Sequence, residues 1–395
     1  MQRGRGRRFH LLNHIHGLPY DPPRWGERPR LRSKATLQQG AGTTVAVLDS
    51  GAGEHPWLLD SFVEDPLPDA ARELWDLSSG VLPRQVGHGT FVCGVVLQYA
   101  PAAKLLPRRV IDMHGDAFDE DLARVVRSLI PQNPDVVNLS LGPTPADEKG
   151  ETDEGVAHTM AALAELQREC GTVVVSAAGD ISEELPGELL APPGPLTLIV
   201  GALDLSGQPA WFSGAKPVTM WAPGVDVLSS FVHHSGPVSL SHPRDREHAH
   251  ADTDADAEGH GEGAAHVHAH VHAEDPVEDP AETSEPSEQP PAPFAGWARW
   301  NGTSFAAPAV SGAIAAEISA LAGDGGGSDR RELRARAVQR VLDRARSLPA
   351  GAPAADGAAA TGVVLTELPV ALLGPPGNRT TSSNSETGGG ASSVG

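Results

Sequence analysis

Residues 43–51 read Thr-Thr-Val-Ala-Val-Leu-Asp-Ser-Gly: six β-branched or apolar residues, then a carboxylate, a hydroxyl and a glycine. Alternating polar positions would mark a strand with one wet face; a continuous apolar run predicts a strand covered on both faces. Four more short runs of this kind follow, at Lys104–Val110, Asp135–Leu139, Thr172–Ala177 and Leu196–Gly201. Between them, residues 119–130 (DEDLARVVRSLI) carry an apolar stripe at helical spacing with acidic residues in the first turn, and residues 153–169 predict a second helix. Strands alternating with helices imply an α/β domain with a mostly parallel central sheet flanked by helices, since parallel neighbours need crossover connections. In such sheets functional groups gather at the carboxyl ends of strands, where Asp49 stands. By itself, Asp49-Ser50-Gly51 is equally an ordinary turn.

The chain has 395 residues and a formal net charge of −21, from 51 Asp+Glu against 30 Lys+Arg. That balance disfavours nucleic acid as a partner, because phosphate contacts need clustered basic groups. More than half of the charge lies in residues 241–293, where 14 acidic residues face only Arg244 and Arg246. The same stretch has eight histidines and no Leu, Ile, Phe, Tyr or Trp, which predicts a disordered, solvated insertion. Residues 1–43, with nine Lys/Arg, two acidic residues and no sustained periodicity, predict a basic irregular arm. Residues 374–395 predict a disordered Gly/Ser tail. Residues 44–373, interrupted by 241–293, then form one large domain. Two cysteines, Cys93 and Cys170, are too few for a disulfide framework and read as small buried hydrophobes. No apolar run approaches the roughly 18 residues of a membrane span, and the arginine-rich start is not a signal peptide. A cytoplasmic protein without a membrane partner is expected. Arginine outnumbers lysine 26 to 4, as in the proteins of GC-rich, bacterial genomes.

Two further motifs carry chemistry. In Gly87-His88-Gly89-Thr90, small residues flank a histidine just before a helical apolar run, leaving room for a substrate beside the imidazole. A positive helix end disfavours imidazolium there and keeps His88 a neutral base; a capping histidine is the plainer alternative. In Asn301–Gly312 (NGTSFAAPAVSG), Ser304 falls where a helix begins, with its hydroxyl and nearby N–H groups at the positive end. A serine N-cap explains that segment alone equally well. Pro308 lies in the first turns, where a helix tolerates it best.

Together, VAVLDSG, GHGTFVCGVV and NGTSFAAPAVSG resemble the three signatures of the subtilase (peptidase family S8) serine proteases, in the order Asp, His, Ser. The resemblance runs from about Thr43 to Val341 and includes DVVNLSLG at 135–142 and WAPGVDVLSS at 221–230. It implies a subtilisin-like three-layer fold and a serine endopeptidase that acts on polypeptides and needs no cofactor, with no residue assigned to a metal and structural Ca2+ left open. Ser304 would be the nucleophile, His88 the general base and then acid, and Asp49 the group that fixes the imidazole tautomer. Ser140, Leu141 and Gly142 would pair with an extended substrate, and Ala177, Ala178 and Gly179 would wall the primary specificity pocket. Asp112, Asp116, Asp119, Glu120 and Asp121 fall near the family's distal subsites, which suits basic substrate residues; a solvated helix start explains them equally.

Three departures stand out. The family's pocket-wall segment normally ends in Asn, whose amide donates to the oxyanion, whereas this chain reads Ala177-Ala178-Gly179-Asp180. A carboxylate at Asp180 would repel the oxyanion and a protonated one would donate, so a catalytically impaired scaffold that binds peptides or a protein partner is the alternative. Only 48 residues precede Asp49, too few for the family's usual folding propeptide, so activity is expected to be restrained in another way. The insertion carries His266, His268, His270 and His272 at alternating spacing suited to Zn or Ni, which leaves a metal-responsive role open beside that of a polar spacer.

Overall fold

The computed structural model describes residues 8–11, 23–34, 37–64, 86–111, 116–143, 156–179, 191–213, 218–234, 294–324, 329–348, 362–367 and 369–373. The apolar runs become β1 (Thr44–Asp49), β2 (Lys104–Arg109), β3 (Val136–Leu139), β4 (Val173–Ala177) and β5 (Thr197–Leu203), followed by β6 (Met220–Pro223). β7 (Val227–His234) and β8 (Phe294–Trp300) form a separate antiparallel hairpin, and β9 (Arg346–Ser347) and β10 (Val363–Val364) are short. The eight-stranded sheet has the order β2-β1-β3-β4-β5-β6-β10-β9. Its pairs are parallel except the last, where β9 meets β10 antiparallel.

Period-2 alternation distributes the strand residues between two helical layers. Val45 and Val47 pack into one core with α1 (His88–Tyr99), α4 (Thr303–Gly323) and α5 (Arg330–Arg344). Ala46 and Leu48 face the opposite way, into a second core with α2 (Asp119–Ser128) and α3 (Ala157–Cys170). The result is three layers, as expected. α4 is 21 residues long and apolar enough by composition to cross a membrane, which the absence of a long apolar run did not anticipate. It is buried against α1 and the sheet, as the core helix of the first layer.

The amino-terminal arm is not irregular throughout. Arg8–Leu11 forms a strand between Asp116–Phe118 and Leu141–Pro143, Arg24–Trp25 adds to β8, and Arg30–Leu31 pairs with Leu372–Leu373. Each piece borrows its partner from an edge elsewhere in the fold, so none needs a sequence pattern of its own. The insertion 241–293 and the tail 374–395 lie outside the described residues.

A buried ion cluster joins α5 to the amino end of the sheet. Asp135 accepts from the Thr44 N–H (2.9 Å), from Arg330 Nε (2.7 Å) and Nη2 (2.6 Å), and from Arg334 Nε (2.8 Å). Arg334, fully buried, also donates to Asn133 and to the Cys170 carbonyl. Cys93 and Cys170 are buried and do not form a disulfide with each other.

Candidate active site

β1 delivers Asp49 to the carboxyl edge of the sheet, and α1 begins with His88 beside it. Gly87, with φ 82°, turns the chain into that helix. A Cβ at Gly89 would collide with the Gly51 carbonyl and lie 3.2 Å from Asp49 Oδ1, so only glycine lets α1 approach this closely. His88 Nδ1 lies 2.8 Å from Asp49 Oδ1 and 3.0 Å from Oδ2. Asp49 also accepts from the Ser50 N–H (2.7 Å), and Ser50 Oγ accepts from the Gly89 N–H (3.1 Å). A carboxylate on Nδ1 selects the Nδ1–H tautomer and leaves Nε2 as a lone-pair acceptor. His88 Nε2 is buried and has no hydrogen-bond partner among the described residues. The imidazole is enclosed by aromatic rings from either side of Ser304, with Trp300 at 5.6 Å and Phe305 at 5.1 Å between centroids.

Ser304 is the second residue of α4. Pro308, four residues on, has no N–H to return to the Ser304 carbonyl, which would otherwise be an orphaned buried acceptor. Ser140 supplies the missing donor: its Oγ donates to the Ser304 carbonyl at 2.9 Å, while Ser304 Oγ donates to the Ser140 carbonyl at 3.1 Å. Behind Ser140, Asn138 Nδ2 donates to Ser140 Oγ (2.9 Å) and Ser311 Oγ donates to Asn138 Oδ1 (2.9 Å). All four side chains are buried. The Ser304 hydroxyl thus faces the Ser140 carbonyl and not His88 Nε2.

The pairings Leu48↔Leu139 and Leu139↔Ser176 bring Asp49, Ser140 and Ala177 into neighbouring positions along the carboxyl edge. Ala178 continues from there, its N–H donating to the Val200 carbonyl (2.8 Å), and Gly179 turns away with φ 99°. Leu141 and Gly142 lie in the strand Leu141–Pro143, whose partner is Arg8–Leu11. Asp180, Asp112 and the histidine run 266–272 lie outside the described residues. Asp119 is not a subsite residue: it is buried, accepting from the His158 N–H (2.9 Å), His158 Nδ1 (2.9 Å) and the Thr159 N–H (2.8 Å), which satisfies donors in the first turn of α3. Glu120 and Asp121 are exposed at the start of α2.

Asn138 and Ser311 were not singled out from sequence. The signal for Asn138 was present, since an amide inside the apolar run DVVNL must find buried partners. Ser311 looked like any small residue on a helix. His55 is a third: it is buried, its Nε2 facing the Gly296 carbonyl (2.9 Å) and its Nδ1 accepting from the Trp57 N–H (3.2 Å).

The Subtilase family model matches residues 40–358. Subtilisin E of Bacillus subtilis is 31% identical over 204 residues, which is 48% of this chain and 49% of that protein. An intracellular serine protease of Paenibacillus polymyxa is 27% identical over 243 residues, 55% of this chain and 70% of the other. The chain spans about half the length of the first curated relatives that it matches. Among solved structures, the prenylagaramide maturation protease PagA is similar in fold, with a TM-score of 0.50 at 19% identity over 86% of this chain and 94% of that one. With the family model covering most of its length, the chain belongs to the subtilase family.

Proposed function

We propose that the protein is a serine endopeptidase in which Ser304 is the nucleophile, His88 the general base and acid, and Asp49 the orienting carboxylate. The observation that carries this reading is the Asp49 carboxylate on His88 Nδ1 with Nε2 left buried and unbonded, beside the helix start that bears Ser304. Once the Ser304 hydroxyl turns toward Nε2, the imidazole takes its proton as Oγ attacks the carbonyl carbon of a peptide bond. The imidazolium, stabilised by Asp49, passes the proton to the leaving amine, and water then releases the acyl group by the same steps in reverse. Ser140, Leu141 and Gly142 bind the extended substrate, with Ala177, Ala178 and Gly179 along the pocket wall. Asp180 takes the oxyanion position and donates only when protonated. Inside the cell is the setting we assign, in line with the intracellular relative.

A second reading, a peptide-binding scaffold with little turnover, is favoured by the direction of the Ser304 hydroxyl, which bonds to the Ser140 carbonyl rather than to His88. Cleavage of a peptide library by the wild type beside Ser304→Ala separates the two: cleavage lost in the variant supports the peptidase, and identical profiles refute it. The Asp180 assignment has its own test. Asp180→Asn supplies a donor at every pH, so kcat should rise by about 10- to 1000-fold near pH 8 and less near pH 6. A fall, or an equal rise at both, would remove Asp180 from the oxyanion position.

A further inference from the structure

In the pairing of β8 with the strand Arg24–Trp25, Arg299 and Arg24 stand directly opposite each other. Like charges in facing positions repel, so this pair calls for a third group between them. Asp226 supplies it: Arg24 Nη2 donates to its Oδ1 at 3.0 Å and Arg299 Nη1 to its Oδ2 at 2.7 Å. Arg299 Nη1 also donates to the Asp226 carbonyl at 3.1 Å, which holds the backbone as well as the side chain. That backbone is left-handed, with φ 55°, a conformation that aspartate tolerates better than most residues other than glycine. Asp226 ends the connection between β6 and β7, and this connection grips the chain at two points just before α4. The Asp226 N–H donates to Asn301 Oδ1 at 2.7 Å, and the Gly302 N–H donates to the Gly224 carbonyl at 2.9 Å. Gly224 has no room for a side chain, since a Cβ there would lie 2.4 Å from the Ala202 Cβ and 3.0 Å from the Gly302 carbonyl oxygen. Thr303 and Ser304 follow at once as the first residues of α4.

We infer that Asp226 is a positioning residue for Ser304, its carboxylate neutralising the facing arginines and fixing the turn that holds Asn301 and Gly302. This role rests on the peptidase reading, in which the place of Ser304 sets the rate. With the carboxylate gone, Arg24 and Arg299 push apart, the Asp226 side chain no longer anchors Arg299, and the bonds to Asn301 and Gly302 loosen. Ser304 is then misplaced relative to His88, and a displacement on the order of 1 Å costs roughly a hundredfold in rate. Arg24, Arg299 and Asp226 are all partly exposed, so their ion pairs contribute little to stability by themselves, and the effect falls on placement rather than on folding.

The test follows fluorophosphonate labelling of Ser304 and hydrogen exchange at the Gly302 amide, both in the full chain. Asp226→Asn keeps the size of the side chain and its tolerance of the left-handed region, and removes the charge. Its limiting labelling rate should fall at least about tenfold below that of the wild type, with the half-saturating probe concentration unchanged. Adding Arg24→Gln removes one of the facing charges and should bring the rate back to within about threefold of wild type. For the single variant, 1 M NaCl should act in the same direction, because the screening length is then about 3 Å. A side chain that merely packs would show neither recovery. A rate in Asp226→Asn equal to wild type, or a loss that neither Arg24→Gln nor salt reverses, overturns the proposal. If Asp226→Asn does not fold, Asp226→Gly makes the same comparison, because glycine adopts φ 55° without strain. If the wild type itself does not label, the peptidase reading fails and amide exchange decides the placement alone. Exchange at Gly302 at least about tenfold faster in Asp226→Asn than in the wild type supports the clamp, and equal exchange refutes it.

Discussion

Pro308 and Ser304 are four residues apart in one helix, and that spacing explains why Ser140 and Asn138 surround Ser304. The proline frees the Ser304 carbonyl, Ser140 Oγ satisfies it, and Asn138 holds Ser140 from behind. In the proposed mechanism Asn138 touches neither reacting group and acts as a positioning residue. Asn138→Ala should lower kcat about tenfold with KM nearly unchanged and cost about 1–3 kcal/mol in a urea melt, as expected for unsatisfied buried partners. A change confined to stability would leave Asn138 a purely structural residue. His55 makes a prediction about pH. Burial pushes its pKa down to about 4, with His233, Arg28 and Lys34 adding repulsion and the hydrogen bond to the Gly296 carbonyl opposing. Unfolded, the imidazole takes a proton near pH 6.5, so between about 6.5 and 4 the unfolded state binds more protons. The contribution of His55 is therefore complete above that window and is lost as pH falls through it. Melting temperatures of wild type and His55→Gln should differ most near pH 7 and converge toward pH 4; parallel curves would contradict the assignment. The motif residues Asp49, His88 and Ser304 were legible because each motif joins a rare residue pattern to an element boundary. His55, whose Nε2 finds its partner 241 residues away at the Gly296 carbonyl, was not.

The strands of the sheet centre were legible for a physical reason, namely that helices cover both faces and every position must be apolar. α5 was not legible. Its sequence, RRELRARAVQRVLDR, reads as a polar surface helix, and its anchor Arg334 is of a residue type that is almost never fully buried without partners. Only the fold brings Asp135 from the amino end of β3 to meet it. Asp135→Asn would leave the buried guanidinium uncompensated and should destabilise the protein by about 3–5 kcal/mol. The cluster lies at the edge of the sheet opposite Ser304, so kcat below the melting transition should not change. An unaltered melting curve would show that α5 is held by its apolar face alone. The arm strands were illegible for another reason: Arg-Phe-His-Leu is ordinary until two edges stand on either side of it.

At the scale of the whole molecule, one layer of strands ends at the candidate site, and the long acidic insertion falls between the two strands of one hairpin. β7 and β8 pair as far as His234↔Phe294, so the described residues on either side of the intervening segment lie side by side. Replacing residues 241–293 with a short turn should leave the melting temperature within a few degrees, because the segment has almost no apolar side chains to bury. A drop beyond about 10 °C would mean that it packs on the domain. The fold itself depends on the sheet's carboxyl edge bringing three motifs together from positions 49, 88 and 304, and on this depends the claim that Ser304 is activated by His88. Labelling with a fluorophosphonate, followed by peptide mapping, tests that claim most directly. The adduct should fall on Ser304 in the wild type and disappear in His88→Ala and Ser304→Ala, with all three proteins equally folded. An adduct on another residue, or labelling of Ser304 that survives His88→Ala at the same rate, would contradict it.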